Sequence, residues 1–124
     1  MAGERVLVVE DKDKSMKFFR DVLQASGYST LEATTGEEAV ELALTHEPAL
    51  VLMDVRLPGI DGVEALERLR QQGRTASIPV LAVTAQAMSG DRERFVEAGF
   101  DGYLAKPVDV DELIRVVREH CDRA

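Results

Sequence analysis

The chain has 124 residues, 45% of them apolar and 31% charged, with a formal net charge of −8 at pH 7. That length suits one core and is too short for two ordinary domains, so residues 1–124 read as a single globular domain. Such acidity argues against direct nucleic-acid binding, which needs basic surface to displace counterions.

The N-terminal stretch MAGERVLVVED lacks the apolar core of a signal peptide, and no segment of the sequence is apolar for long enough to span a bilayer. A cytoplasmic location without membrane attachment is the expectation. Val6 to Val9 is an unbroken apolar run, as a strand buried on both faces requires. Over residues 14–25, Met16, Phe19, Val22 and Leu23 recur at helical spacing, and Ser26-Gly27 ends the pattern. YSTLEA, residues 28–33, reads as a weaker strand suited to a sheet edge. Thr35 followed by Glu38 forms a capping box that opens a helix carrying Ala39, Val40 and Ala43.

Residues 49–53 give a third strand. Val63, Leu66 and Leu69 mark a third helix that fades at Gln71-Gln72-Gly73. IPVLAVT, residues 78–84, is a fourth strand, and residues 91–98 a fourth helix stopped by Gly99. GYLA, residues 102–105, is a short fifth strand. Asp109 with Glu112 makes a second capping box ahead of Leu113, Val116 and Val117. Cys121, the lone cysteine, continues that spacing as a small core residue, and it excludes an internal disulfide.

Five strand-then-helix repeats with short connections demand a parallel sheet with right-handed crossovers and helices on both faces. The fold class is therefore α/β, a flavodoxin-like (βα)5 three-layer sandwich. Strand order 2-1-3-4-5 places the most apolar early strands centrally.

Ligands in such sheets bind beyond the carboxyl ends of the strands, at the switch point between the first and third. The first strand ends in Glu10-Asp11, the third in Asp54, the fourth in Thr84 and the fifth in Lys106. Singly, each has an ordinary explanation: helix capping, a turn, a strand hydroxyl, a surface charge. Jointly they put three carboxylates, a hydroxyl and an ammonium on one edge. Oxygen donors with no histidine or cysteine beside them suit a hard cation such as Mg²⁺ (or Mn²⁺), whose remaining positions accept phosphate oxygens. Lys106 and the cation counter the charge of a transferring phosphoryl group, Thr84 hydrogen-bonds one of its oxygens, and Asp54 is the candidate nucleophile. His46 and His120 lie near helix ends, where a partly protonated ring complements the dipole.

The stretches VLVVED (6–11), MDVRLPGIDG (53–62), AVTA (82–85) and GYLAKP (102–107) together resemble a response-regulator receiver domain over nearly the whole chain. The resemblance implies that Asp54 takes a phosphoryl group from a histidine kinase or histidine phosphotransfer protein. It implies metal ligation by Asp11, Asp54 and the backbone carbonyl of Arg56, with Glu10 acting through the metal's water shell. Thr84 and Tyr103 match the family's switch pair, Lys106 the ammonium that contacts the phosphoryl group, and Lys106-Pro107 a cis bond. Arg56 and Gln86 match positions that tune phosphoryl lifetime.

Ser15 stands where similar stand-alone receivers often carry asparagine. VVEDKDKSMKFF and VTAQAMSGDRERF resemble the stand-alone cell-cycle receivers of the DivK type. The expected function is thus a Mg²⁺-dependent phosphoacceptor of a two-component or phosphorelay system that switches binding to a downstream protein. It would catalyse its own phosphorylation and dephosphorylation and turn over no external substrate. Two alternatives are a receiver excised from a hybrid kinase or longer regulator, and a receiver-like interaction module that works without phosphorylation. A haloacid-dehalogenase-like phosphatase would need a general-acid aspartate two residues after Asp54, where this chain has Arg56.

Overall fold

A parallel strand covered on both faces must be apolar at every position, and the run ahead of Asp54 meets that demand. Leu50, Val51, Leu52 and Met53 are fully buried, each contributing about 1.5–3 kcal/mol through removal from water. The computed structural model describes residues 4–85 and 91–121. Its elements alternate as β1 (Arg5–Val9), α1 (Asp13–Ala25), β2 (Ser29–Ala33), α2 (Gly36–His46), β3 (Leu50–Asp54), α3 (Gly62–Arg70), β4 (Val80–Thr84), α4 (Asp91–Ala98), β5 (Gly102–Ala105) and α5 (Val110–Cys121). The strands pair in parallel in the order β2-β1-β3-β4-β5. Both the expected fold class and the expected strand order are observed.

Side-chain alternation splits the core into two layers. Leu7, Val9, Val51, Met53, Val80 and Ala82 pack with Ala39 and Ala43 of α2, Leu66 and Leu69 of α3, and Phe95 of α4. Val6, Val8, Leu50, Leu52, Leu81 and Val83 pack with Phe19 and Leu23 of α1 and with Leu113, Val117 and Cys121 of α5. Cys121 is buried, as its helical spacing predicts. β2 lies at the sheet edge and is only partly covered, which matches its weaker apolar pattern.

The helix starts show how local chemistry sets the element bounds. Thr35 Oγ1 accepts the Glu38 N–H at 3.1 Å, but the Glu38 carboxylate reaches back to the N–H of Thr34, at 2.8 Å, rather than to that of Thr35. The return contact of the capping box is thus displaced by one residue. Asp109 Oδ2 accepts the Glu112 N–H at 3.0 Å ahead of α5. Asp61, which the sequence analysis passed over, caps α3 by accepting the Glu64 N–H at 2.9 Å.

At the amino ends of β4 and β5 a single guanidinium joins the two connections that lead into these strands. Arg70 Nη1 donates to the carbonyls of Ala76 (3.1 Å) and Ile78 (2.7 Å), while Nη2 lies 2.9 Å from Asp101 Oδ2. The same Asp101 oxygen accepts the Val80 N–H at 2.8 Å, so the start of β4 is tied to the start of β5. Arg70→Ala is expected to lower stability by about 2 kcal/mol, the scale of a hydrogen bond to a charged group. A urea denaturation midpoint unchanged from wild type would contradict that role.

Candidate functional site

Register brings the carboxyl ends of the central strands to one level. Val9 pairs with Met53, so Glu10 and Asp54 follow at the same height. Asp54 pairs with Val83 and Thr84 with Ala105, which places Lys106 next to the end of β4. The Lys106 N–H donates to the Thr84 carbonyl at 2.8 Å and fixes that placement.

Carboxylate oxygens of Glu10, Asp11 and Asp54 lie within 4.8 Å of one another. Glu10 is 1% exposed and Asp54 5%, whereas Asp11 is exposed. Lys106 Nζ donates to Glu10 Oε1 at 2.5 Å and to Asp54 Oδ2 at 3.3 Å. The other Glu10 oxygen accepts the backbone N–H of Lys12 at 3.2 Å, and Asp54 Oδ1 accepts that of Arg56 at 2.9 Å. Every buried polar side-chain atom among the described residues has a partner. Among the described residues, the three carboxylates and the ammonium that pairs with two of them carry a formal charge of −2 (three negative charges and one positive).

These surroundings shift both Glu10 and Lys106 from their ordinary values. Burial, reinforced by the neighbouring Asp54 carboxylate, pushes the Glu10 carboxyl above its ordinary value in spite of Lys106. Burial works against the charge on Lys106, but hydrogen bonding to Glu10 and attraction to Asp54 outweigh it and hold the ammonium above its usual value.

The donor set fits a hard divalent cation. It consists of oxygens alone, it carries uncompensated negative charge, and two oxygens on one Mg²⁺ at about 2.0–2.1 Å each stand no more than about 4.2 Å apart. A cluster spread over up to 4.8 Å suits two direct carboxylates and a third acting through water. Glu10, held by the Lys106 ammonium at 2.5 Å against 3.3 Å for Asp54, suits that third place. Adding Mg²⁺ to metal-free protein is expected to raise its stability, by about 2.7 kcal/mol at a hundredfold excess over Kd. Thermal denaturation across a Mg²⁺ series checks this, and a flat series would exclude binding to the folded state.

The other singled-out residues are placed differently. Thr84 is buried at the end of β4. Tyr103 lies two residues before the carboxyl end of β5, beside Ala82 in register, and packs against Phe95 of α4 at 5.8 Å between ring centroids. The Arg56 side chain is exposed, and Gln86 lies outside the described residues. The Lys106-Pro107 bond is cis, as expected. Ser15 lines a groove with Phe18, Pro107 and Val108 beside the cluster. His46 is exposed, with Nδ1 3.0 Å from Arg5 Nη1, while His120 is half-buried, with Nδ1 2.8 Å from the Val116 carbonyl.

Two contributors escaped the sequence analysis. One is the Lys12 backbone, which leaves no side-chain signature. The other is Gly62, whose missing side chain lets α3 start against the Asp54 carbonyl. The glycine was part of the stretch 53–62, yet nothing in the spacing shows what it approaches.

The family profile described as response regulator receiver domain matches residues 6–118. The chain belongs to that family. The receiver is 43% identical over 115 residues to the polar-differentiation response regulator DivK of Brucella ovis, covering 93% of this chain and 94% of that one. Among solved structures it is similar to the receiver domain of a sensor histidine kinase from Pseudomonas aeruginosa, with a TM-score of 0.90 and 36% identity over 98% of this chain and 99% of that one. A magnesium ion is coordinated in the active-site cleft of that structure. A Francisella response regulator receiver domain aligns with a TM-score of 0.90 and 30% identity over 98% of each chain. The receiver is thus a phosphoacceptor module of two-component signalling, a DivK homologue. No helix among its described residues is long and apolar enough to cross a membrane.

Proposed function

We propose that residues 1–124 act as one receiver domain in which Asp54 is the phosphoacceptor. The carrying observation is Asp54 itself: a 5%-exposed carboxylate at the end of the central strand, hydrogen-bonded to Lys106 and grouped with Glu10 and Asp11. An Asp54 oxygen attacks the phosphorus of a phosphohistidine on a kinase or phosphotransfer protein. The P–N bond breaks, its electron pair returns to the imidazole, and an acyl phosphate remains on the receiver. The Arg56 N–H holds one Asp54 oxygen and so orients the carboxylate. Lys106 moves its attraction from the carboxylates toward the incoming phosphoryl oxygens.

Asp11, Asp54 and the Arg56 carbonyl would hold Mg²⁺ or Mn²⁺, with Glu10 acting through its water shell. The bound cation supplies neutralisation of the phosphoryl oxygens. Thr84 turns its hydroxyl to one of those oxygens and Tyr103 follows into the space vacated, altering the face formed by α4, β5 and α5. Arg56 and Gln86 tune how long the phosphoryl group persists.

The receiver turns over no external phosphoester, since Arg56 stands where a phosphatase of this type needs a second acid. It works in the cytoplasm and signals through a downstream protein rather than through nucleic acid. Incubation with Mg²⁺ and acetyl phosphate, followed by intact mass, is expected to show one added phosphoryl group. Asp54→Asn is expected to show none. Absence of an adduct from any donor, cognate kinases included, would replace this reading with a phosphorylation-independent interaction module.

A further inference from the structure

The loop that joins β3 to α3, residues 55–61, carries a peptide on which the site depends. The Arg56 N–H donates to Asp54 Oδ1 at 2.9 Å, and the Arg56 carbonyl is the proposed third protein ligand of the cation. Both ends of the loop are tied by backbone. The Val55 N–H donates to the Val83 carbonyl at 3.1 Å, and the Gly62 N–H to the Val55 carbonyl at 3.0 Å. Between those ties the loop leans on the first turn of α2. Gly36 is buried there, and a Cβ on it would stand 2.6 Å from Ile60 Cγ1 and 3.0 Å from the Ile60 carbonyl oxygen. Beside it the Glu37 carboxylate lies over Gly59, its oxygens 2.9 and 3.1 Å from where a Cβ would stand. Ile60, partly buried, also packs on the core layer that α2 and α3 cover.

We infer that Gly36 and Ile60 are positioning residues, their close fit holding the loop where the Arg56 peptide serves both Asp54 and the cation. This rests on the reading of the Arg56 carbonyl as a metal ligand, and adds what supports that peptide from behind. A loop held only at its ends keeps freedom in its middle, and a wall of helix backbone removes it. Ile60 suits the contact because its branched Cβ restricts χ1, so Cγ1 follows the backbone closely. Gly36 suits it because any side chain would drive Ile60 and its carbonyl outward. At the α3 end Gly62 is packed against the Asp54 carbonyl, so that end cannot absorb the push. The displacement passes instead toward Arg56, four residues away. By this route α2 bears on a cluster to which it lends no carboxylate.

The test compares Gly36→Ala, Ile60→Ala and the double variant with Val80→Ala. Val80 belongs to the same core layer but opens β4, at the opposite rim of the sheet. Hydrogen exchange of the Arg56 amide is read by NMR in metal-free protein, as a ratio to that of the Val55 amide. Mg²⁺ affinity is read by calorimetry on the same folded samples.

In Gly36→Ala the exchange ratio is expected to rise about tenfold, the scale of losing a hydrogen bond to a carboxylate. Its Mg²⁺ affinity should fall about tenfold, as when a group supporting a metal ligand is disturbed. Ile60→Ala should change both quantities in the same direction. The double variant should lie closer to wild type than Gly36→Ala, because the new methyl enters the space left by Cγ1 and Cδ1. Val80→Ala is expected to lower the denaturation midpoint and leave both quantities unchanged. Wild-type values in Gly36→Ala, the same changes in Val80→Ala, or no recovery in the double variant overturns the inference. If the parent binds no Mg²⁺, the metal reading of the site fails separately, and the Arg56 exchange ratio still decides the role of Gly36.

Discussion

Gly62→Ala is expected to lower the stability of the receiver by about 2–3 kcal/mol, the cost of forcing a methyl group into a filled space. A Cβ at Gly62 would stand 2.6 Å from the Asp54 carbonyl oxygen and 2.9 Å from the Val55 Cα. Both are backbone atoms, so no rotamer change relieves the clash. The Gly62 N–H also donates to the Val55 carbonyl at 3.0 Å, which fixes the start of α3 against the end of β3. The ordinary gain from replacing glycine in a helix is about 1 kcal/mol, and the overlap exceeds it.

The clash falls on the peptide that follows Asp54, so the variant is expected to lose phosphoryl uptake as well as stability. Gly73→Ala is the control, because nothing lies within 4 Å of its added carbon. Urea denaturation and the rate of acetyl phosphate labelling check both parts. Wild-type values for Gly62→Ala in either assay would contradict the proposed close approach.

Lys106→Met is expected to abolish phosphoryl transfer and to destabilise the metal-free protein in a manner that depends on pH. Lys106 is 18% exposed and pairs with two buried carboxylates. Removing one partner of a buried pair costs about 3–5 kcal/mol when the remaining charge has nowhere to go. Glu10 provides an escape, since its carboxyl already lies above the ordinary value and would move higher without the ammonium.

The sign follows from linkage. Where the unfolded chain has released the Glu10 proton and the folded chain retains it, the folded state binds more protons and stability falls as pH rises. The window opens at the unfolded carboxylate value, 4.5, and closes above the raised folded value. The deficit of Lys106→Met relative to wild type should therefore be small in acid and grow toward neutral pH. Asp54→Asn in the same chain removes one of the repelling charges and should recover part of the loss. A deficit independent of pH would show that lost packing of the lysine stem, rather than its charge, is responsible.

The architecture and most of the carboxylate edge were legible in the sequence because they depend on short-range patterns. Val6–Val9 and the run before Asp54 announce strands covered on both faces, and the strand-then-helix rhythm leaves few ways to stack them. Once the strand order is set, residues at strand ends are neighbours by topology, which is why Glu10, Asp11, Asp54 and Lys106 emerged together. What stayed hidden depends on contacts between distant segments. The approach of Gly62 to the Asp54 carbonyl requires the path of the loop after β3. The contact between Phe95 and Tyr103 requires the rotation of α4 over β5, which no periodicity encodes. The role of Arg70 requires the carbonyls of Ala76 and Ile78 and the carboxylate of Asp101 to gather around it. Asp61 with Glu64 was a readable cap, overlooked beside the loop residues next to it.

The staple made by Arg70 has a consequence for how such a chain can diversify. It grips β4 and β5 at their amino ends, and the reactive carboxylates and Thr84 occupy the carboxyl ends of the sheet. The five residues of β4 separate the two by about 13 Å. Cohesion and chemistry are therefore supplied by different residues at opposite rims of the same strands. Substitutions at the reactive rim leave intact the contacts by which the far rim keeps the strands in register. Heritable variation in signalling is in this way insulated from variation in foldedness.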